Sequence, residues 1–143
     1  MSENPTCVFC AIAAGELDAE IVERTAHTLA FLDASPLFHG HVLVVPVEHH
    51  ATLGELPEEQ VGPLFAAARR VARAVERGLG AQGSFVAMNN RVSQSVPHLH
   101  VHVVPRTRGD GLKGFFWPRR RYASDDQRAE IAARIRAAIE PTG

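Results

Sequence analysis

Eight histidines occur in 143 residues, and three of them alternate along His98-Leu99-His100-Val101-His102, with Val103, Val104 and Pro105 directly after. Valine-rich sequence of this kind suits an extended strand. Its two-residue period sends the three imidazoles to one face and Leu99, Val101 and Val103 to the other. An imidazole titrates near neutrality, so it can attack phosphorus, relay a proton or steady an oxyanion. For attack, one ring must present a bare nitrogen while its other nitrogen donates to an acceptor such as a carbonyl. His100, with a neighbour on each side along the face, is the ring best placed to do so, and His102 could then bond a phosphoryl or leaving-group oxygen. Upstream, Asn89, Gln94 and Ser95 are neutral donors able to bond phosphate oxygens as charge builds on them. No paired aspartates mark a two-metal phosphatase, and no Walker loop is present. The competing reading is a chance metal tract or three rings facing water. The adjoining Gln94-Ser95 and Asn89-Asn90 favour a pocket.

A second constellation involves Cys7 and Cys10, spaced Cys-x-x-Cys. With His49 and His98 they compose a tetrahedral zinc set of two sulfurs and two nitrogens. His49 lies just past a strand end at Pro46, and His98 opens another strand, so such a site would tie the N-terminus onto a sheet. Inert thiols and a redox pair are the alternatives, although no strand–helix–strand setting surrounds the cysteines. On spacing alone, His50 rivals His49.

The elements that must position these groups follow from patterning. Residues 7–18 read as a short helix or turn, and Ile21-Val22 and Thr28–Leu32 as two short strands. Asp33-Ala34-Ser35-Pro36 is a turn, and residues 41–46 have the composition of a central strand stopped by proline. Over residues 58–78, Val61, Leu64, Phe65, Ala68, Val71 and Val75 recur at threes and fours, predicting the longest helix. Pro57 suits its first position, while Pro63 implies a distorted first turn or a later start. Residues 84–88 read as a further strand before the polar loop and the histidine strand. Short connections favour antiparallel pairing, so the expected class is α+β, with about five strands and one long helix. Ser124 with Gln127 forms a capping box ahead of Ile131, Ile135 and Ile139, predicting a C-terminal helical extension. The chain reads as one domain, 1–143, with 107–143 packed on it as that extension. One odd segment, 109–122, runs Phe115, Phe116, Trp117 and Pro118 into three arginines.

Composition narrows the partners. Fifteen basic against 16 acidic side chains leave a net charge of −1, which offers no bulk attraction to nucleic acid or an anionic membrane. No apolar stretch is long enough to span a bilayer, and Met1-Ser2-Glu3-Asn4-Pro5 has no leader character, so a cytoplasmic protein is expected.

Val96-Pro97-His98-Leu99-His100-Val101-His102-Val103-Val104 resembles the His-x-His-x-His-x-x signature of the histidine triad (HIT) superfamily. The likeness extends to Cys7-Val8-Phe9-Cys10, Phe31-Leu32-Asp33-Ala34-Ser35-Pro36, His41-Val42-Leu43-Val44-Val45-Pro46 and Gln94-Ser95. It is nearest to the zinc-containing bacterial proteins related to nucleoside phosphoramidases. The resemblance implies a HIT-like α+β fold, a homodimer with a sheet spanning both chains, and a purine nucleotide substrate. It implies that His100 is the nucleophile, oriented by the His98 carbonyl, and that a nucleotidyl-histidine forms and is resolved by water. His102 would sit near the leaving group, and Asp33 would hold the ribose hydroxyls. Phe9, Ile12 and Phe31 would wall the purine, while Asn89, Ser95 and the adjacent Gln94 would meet phosphate. Cys7, Cys10, His49 and His98 would bind structural zinc, the chemistry itself needing no cofactor. The implied activity is hydrolysis of purine nucleoside phosphoramidates or related AMP-linked compounds. Alternatives are cleavage of dinucleoside polyphosphates (Ap3A or Ap4A type), nucleotidyl transfer, or nucleotide binding with little turnover. Two departures stand out. The loop over residues 89–93 is shorter than the usual glycine-rich one, and the chain continues well past Arg106. Residues 114–119 could cover the pocket or a dimer partner, or lie peripherally.

Overall fold

The computed structural model describes residues 6–113 and 119–141. The aromatic run from Phe115 to Pro118, with its suggested place over a pocket, lies outside them. The chain divides into two compact units, Met1–Asp110 and Gly111–Gly143.

The first unit holds α1 (Val8–Ala13), β1 (Ile21–Arg24), β2 (Thr28–Leu32), β3 (Val42–Pro46), a 3-10 turn (Leu53–Glu55), α2 (Glu58–Leu79), β4 (Gly83–Ala87) and β5 (Val101–Arg106). The five strands form one antiparallel sheet in the order β1-β2-β3-β5-β4. Its central strands are buried on both faces, which is why β2 and β3 read as continuous apolar runs rather than alternating ones. One face packs Ala30, Val42, Val44, Leu99, Val101 and Val103 under Leu64, Ala67, Ala68, Val71 and Val75 of α2. The other face packs Leu29, Phe31, Leu43 and Val45 against Cys7, Phe9, Cys10 and Ile12 of the α1 segment. A 22-residue helix thus covers one side and a six-residue helix the other.

Two expectations need correction. Pro63 does not delay α2, which is helical from Glu58 with Pro57 as its N-cap. The missing proline N–H forfeits one bond near the solvated start of the helix, where the freed carbonyl can meet water. The histidine strand also starts later than its valine pattern suggests, at Val101 rather than His98. Its pairing with β3 ends at Val44↔Val101. Beyond that point the Leu99 N–H donates to the His50 carbonyl at 2.8 Å, outside the ladder.

The second unit contains α3 (Asp125–Ala138). Its capping box forms as expected. Ser124 Oγ accepts from the Gln127 N–H at 3.0 Å, and Gln127 Oε1 accepts from the Ala123 N–H at 2.6 Å. No residue of α3 is buried among the described residues, Ile135 included.

Candidate functional site

Backbone groups fix the state of each ring along the histidine segment. His100 Nδ1 lies 2.8 Å from the His98 carbonyl oxygen. A carbonyl can only accept, so Nδ1 carries the proton and Nε2 keeps its lone pair. The His100 ring is 3% exposed and sits edge-on to Phe9 at 5.1 Å and to His102 at 5.0 Å.

His102 depends on a residue that the sequence reading missed. His41, at the entry to β3, places Nε2 2.9 Å from His102 Nδ1, while its own Nδ1 accepts from the Leu37 N–H at 3.1 Å. With Nδ1 accepting, His41 must donate through Nε2. His102 Nδ1 is then the acceptor, and His102 Nε2–H remains for the cleft. The chain reaches His41 through Gly40 at φ +98, where a Cβ would collide with Leu79 Cδ1. The same loop is closed by a bond from the Asp33 N–H to the His41 carbonyl at 2.9 Å. Asp33 Oδ1 accepts from the Ser35 N–H at 2.9 Å, and Oδ2 lies 3.7 Å from His41 Nε2. Burial is the main cause pushing His102 down to about 4, helped by His100 and His41 and opposed by Asp33. His41 is lowered as well, again chiefly by burial, with Asp33 opposing.

A cleft of about 880 Å³ opens over this face, lined by Phe9, Ile12, Phe31, Asp33, Ser95, His100 and His102 among others. Seven of the nine catalytic and substrate-binding positions expected from the sequence therefore meet in one cavity. Asn89 and Gln94 are not brought to it. The Gln94 amide accepts from the Arg91 N–H at 2.9 Å and donates to the Ala51 carbonyl at 2.6 Å; Asn89 Nδ2 donates to the Ser93 carbonyl at 3.2 Å. Both hold the turn in which Arg91 and Ser93 take positive φ. The cleft is also lined by residues not anticipated, notably Val8, Asp18 and Glu20, and no lysine or arginine is among the described residues lining it.

Behind the triad, Cys7, Cys10, His49 and His98 direct their ligand atoms to within 4.8 Å of one another. Cys7 Sγ to His98 Nδ1 is 3.3 Å, Cys10 Sγ to His49 Nδ1 is 3.4 Å, and Cys10 Sγ to His98 Nδ1 is 3.6 Å. A tetrahedron with zinc–nitrogen and zinc–sulfur bonds of ordinary length has edges of about 3.3–3.8 Å. The donor set fits such an ion. His98 Nε2 donates to the Pro46 carbonyl at 2.8 Å, which leaves Nδ1 bare toward the sulfurs. His98 is fully buried and, chiefly by desolvation, held at about 4. His50, the rival ligand, turns its ring toward Glu48. Cys7 and Cys10 do not form a disulfide with each other.

Residues 14–109 match the HIT domain family model. The adenosine 5'-monophosphoramidase of Schizosaccharomyces pombe is 32% identical over 136 residues, covering 92% of this chain and 99% of the relative. A crystal structure of a HIT family member from Bacillus subtilis superposes with a TM-score of 0.86 at 31% identity, covering 96% of this chain and 99% of that one. A zinc-bound histidine triad family protein from Mycobacterium smegmatis gives a TM-score of 0.72 at 37% identity, covering 92% and 97%. The bare His100 nitrogen in a closed histidine network is thus found in a chain that belongs to the HIT family, as one of its enzymes.

Proposed function

We propose that this chain is a nucleotidyl hydrolase that cleaves purine nucleoside phosphoramidates or related AMP-linked phosphates through a nucleotidyl-histidine on His100. The observation that carries this reading is the His98 carbonyl, which keeps the His100 proton on Nδ1 and leaves Nε2 free in the cleft. In the proposed reaction, Nε2 bonds to the α-phosphorus as the bond to the leaving group breaks. Water then cleaves the Nε2–P bond and releases the nucleoside monophosphate. His102 Nε2–H would bond the leaving-group atom or a phosphoryl oxygen, and Ser95 would supply a further donor. Asp33 would take the ribose hydroxyls, with Phe9, Ile12 and Phe31 around the base. Asn89 and Gln94 would act by holding their loop.

Charge supports a single-phosphate substrate over a dinucleoside polyphosphate. Among the described residues that line it, the cleft presents Asp18, Glu20 and Asp33 and no lysine or arginine, so a multiply charged bridge would find no cationic partner among them. Cys7, Cys10, His49 and His98 would hold structural zinc, which when bound supplies cross-linking and no reacting group. β4 is an edge strand with Val86 exposed, and we assign that edge to a second copy of the chain in a homodimer. No described helix is long and apolar enough to cross a membrane. Two buried cysteines that form no disulfide with each other fit a reducing cytoplasm.

The test compares kcat/KM for adenosine 5'-phosphoramidate and diadenosine tetraphosphate, with acid quenching of a labelled substrate. A labelled peptide containing His100 and preference for the phosphoramidate are expected. Preference for the tetraphosphate would replace the substrate assignment. AMP binding with no covalent label and no turnover would reduce the protein to a binding module.

A further inference from the structure

We infer that the Cys7–Cys10–His49–His98 centre controls how tightly the cleft holds a nucleotide, because it fixes the α1 wall of that cleft. The inference rests on the nucleotide reading above. α1 spans six residues, far fewer than an isolated helix needs to persist in water. It nevertheless contributes Val8, Phe9 and Ile12 to the cleft. Its placement therefore depends on what it is tied to.

The ties converge on the centre. Cys7 is the N-cap of α1, and its sulfur accepts from the Cys10 N–H at 3.4 Å. Cys10, one turn on, faces both His49 and His98. Phe9 lies between the two ligands in sequence and packs edge-on against the His98 ring at 5.8 Å, the His100 ring at 5.1 Å and Phe31 at 5.4 Å. His98 belongs to both sites: its ring enters the centre, and its carbonyl receives the His100 proton. At the far end, α1 is held by an exposed bond from the Arg24 guanidinium to the Ala13 carbonyl at 3.1 Å. The sheet beneath is secured separately, by its own ladder and by α2 on the opposite face. Releasing the centre should thus loosen the base wall while β2, β3 and α2 stay folded.

Coupling of this kind is reciprocal. If the metal favours the closed wall and the nucleotide packs on that wall, each must tighten the other by the same factor. An inert staple would raise stability and leave affinity for the nucleotide alone.

The experiment uses the full-length protein loaded with zinc, and the same protein stripped with a chelator and kept well below its melting temperature. AMP affinity is measured by calorimetry, and zinc affinity by competition with a chelating dye, with and without saturating AMP. Hydrogen exchange is followed in both forms. Stripping is expected to weaken AMP binding by about tenfold or more, and AMP to tighten zinc binding by the same factor. The Cys10, Ala11 and Ala14 amides should exchange faster while those of β2 and β3 stay protected. His49→Ala removes a ligand that does not line the cleft, and should weaken AMP binding without any chelator. Equal AMP affinity in the loaded and stripped forms would overturn the inference, as would wild-type affinity in His49→Ala. So would loss of protection in β2 and β3 together with α1. If zinc-loaded protein bound no AMP at all, the nucleotide reading would fail and the affinity coupling with it, while the exchange of α1 against the sheet would still decide whether the centre fixes that wall.

Discussion

Around His98 the partner is a peptide carbonyl. Pro46 accepts from Nε2, and the bare Nδ1 turns to two sulfurs. Around His41, at the other end of the segment, the partner is a peptide N–H. Leu37 donates to Nδ1, so Nε2 keeps its proton and gives it to His102. The ligand atoms of Asp33, His41 and His102 converge as closely as those of the cysteine set. Proximity alone would mark both clusters as metal sites. The backbone separates them. A cation between Asp33, His41 and His102 would need His41 Nε2 bare, which would turn Nδ1–H against the Leu37 N–H and leave the buried His41 donor without an acceptor, at a cost of about 1–3 kcal/mol for such a group. One polar backbone atom per cluster decides whether an imidazole is a ligand or a donor.

The strongest test of that division falls on the ring between the clusters. His100→Ala should cut single-turnover nucleotide release by at least about a thousandfold while leaving the melting temperature within a few degrees. Release at the wild-type rate would move the nucleophile elsewhere and dissolve the comparison. Next comes removal of a ligand from the cysteine side. Cys10→Ser, or chelation of the wild type, should destabilise the first unit by on the order of 3 kcal/mol, seen as a fall of about 10 °C or more in Tm. Asp33→Asn on the other side should lower Tm far less, since its half-exposed carboxylate is tied chiefly to a local turn. Equal losses from the two clusters would mean that both serve as staples.

What could be read from the sequence divides along the same line. The Cys-x-x-Cys with two histidines is visible in residue type and spacing, as are β3 and α2 from their apolar patterns. Choosing His49 over His50 needed ring directions, which adjacent residues do not reveal. His41 was read only as the start of a strand. Its role follows from register, because Leu43 pairs with His102 and so sets His41 diagonally beside that ring. Strand neighbours are non-local, and no local pattern announces them. Gln94 illustrates the opposite error. Its position suggested a phosphate donor, but an amide can equally clamp a loop, and here Arg91 and Ala51 engage both of its ends. Ser95, the next residue, does line the cleft.

His41 gives the third test. His41→Ala should lower kcat by about 10–100-fold, the usual range when a partner that orients a functional histidine is lost. Affinity for AMP should change little, because His41 is not among the residues lining the cleft. His41→Gln keeps an N–H donor in reach of His102 Nδ1 and should recover part of the loss. A structural role alone predicts that both variants lose stability together and that kcat, measured on the folded fraction, is unchanged.

The smallest effect is a shift in pH dependence. His102 sits at about 4 in the folded protein instead of the ordinary imidazole value of 6.5, through burial first and then through His100 and His41, with Asp33 acting the other way. It is therefore neutral at pH 7, and any loss of kcat that comes from protonating His102 should begin only as the pH nears 4. There a proton on Nδ1 would oppose the His41 Nε2–H and break the chain. The unfolded protein takes up this proton near the ordinary imidazole value. Between those two points it binds more protons than the native state, so this group's contribution to stability is complete above about 6.5 and is lost as the pH falls toward 4. Removing His41 admits water and takes away the Nε2–H that donates to the neutral His102 Nδ1, and both changes favour the charged form of His102. The part of the acid limb that His102 sets should move upward in His41→Ala, toward 6.5, while in His49→Ala it stays in place. An acid limb that moves with His49 and not with His41 would assign the titration to the metal side of the segment.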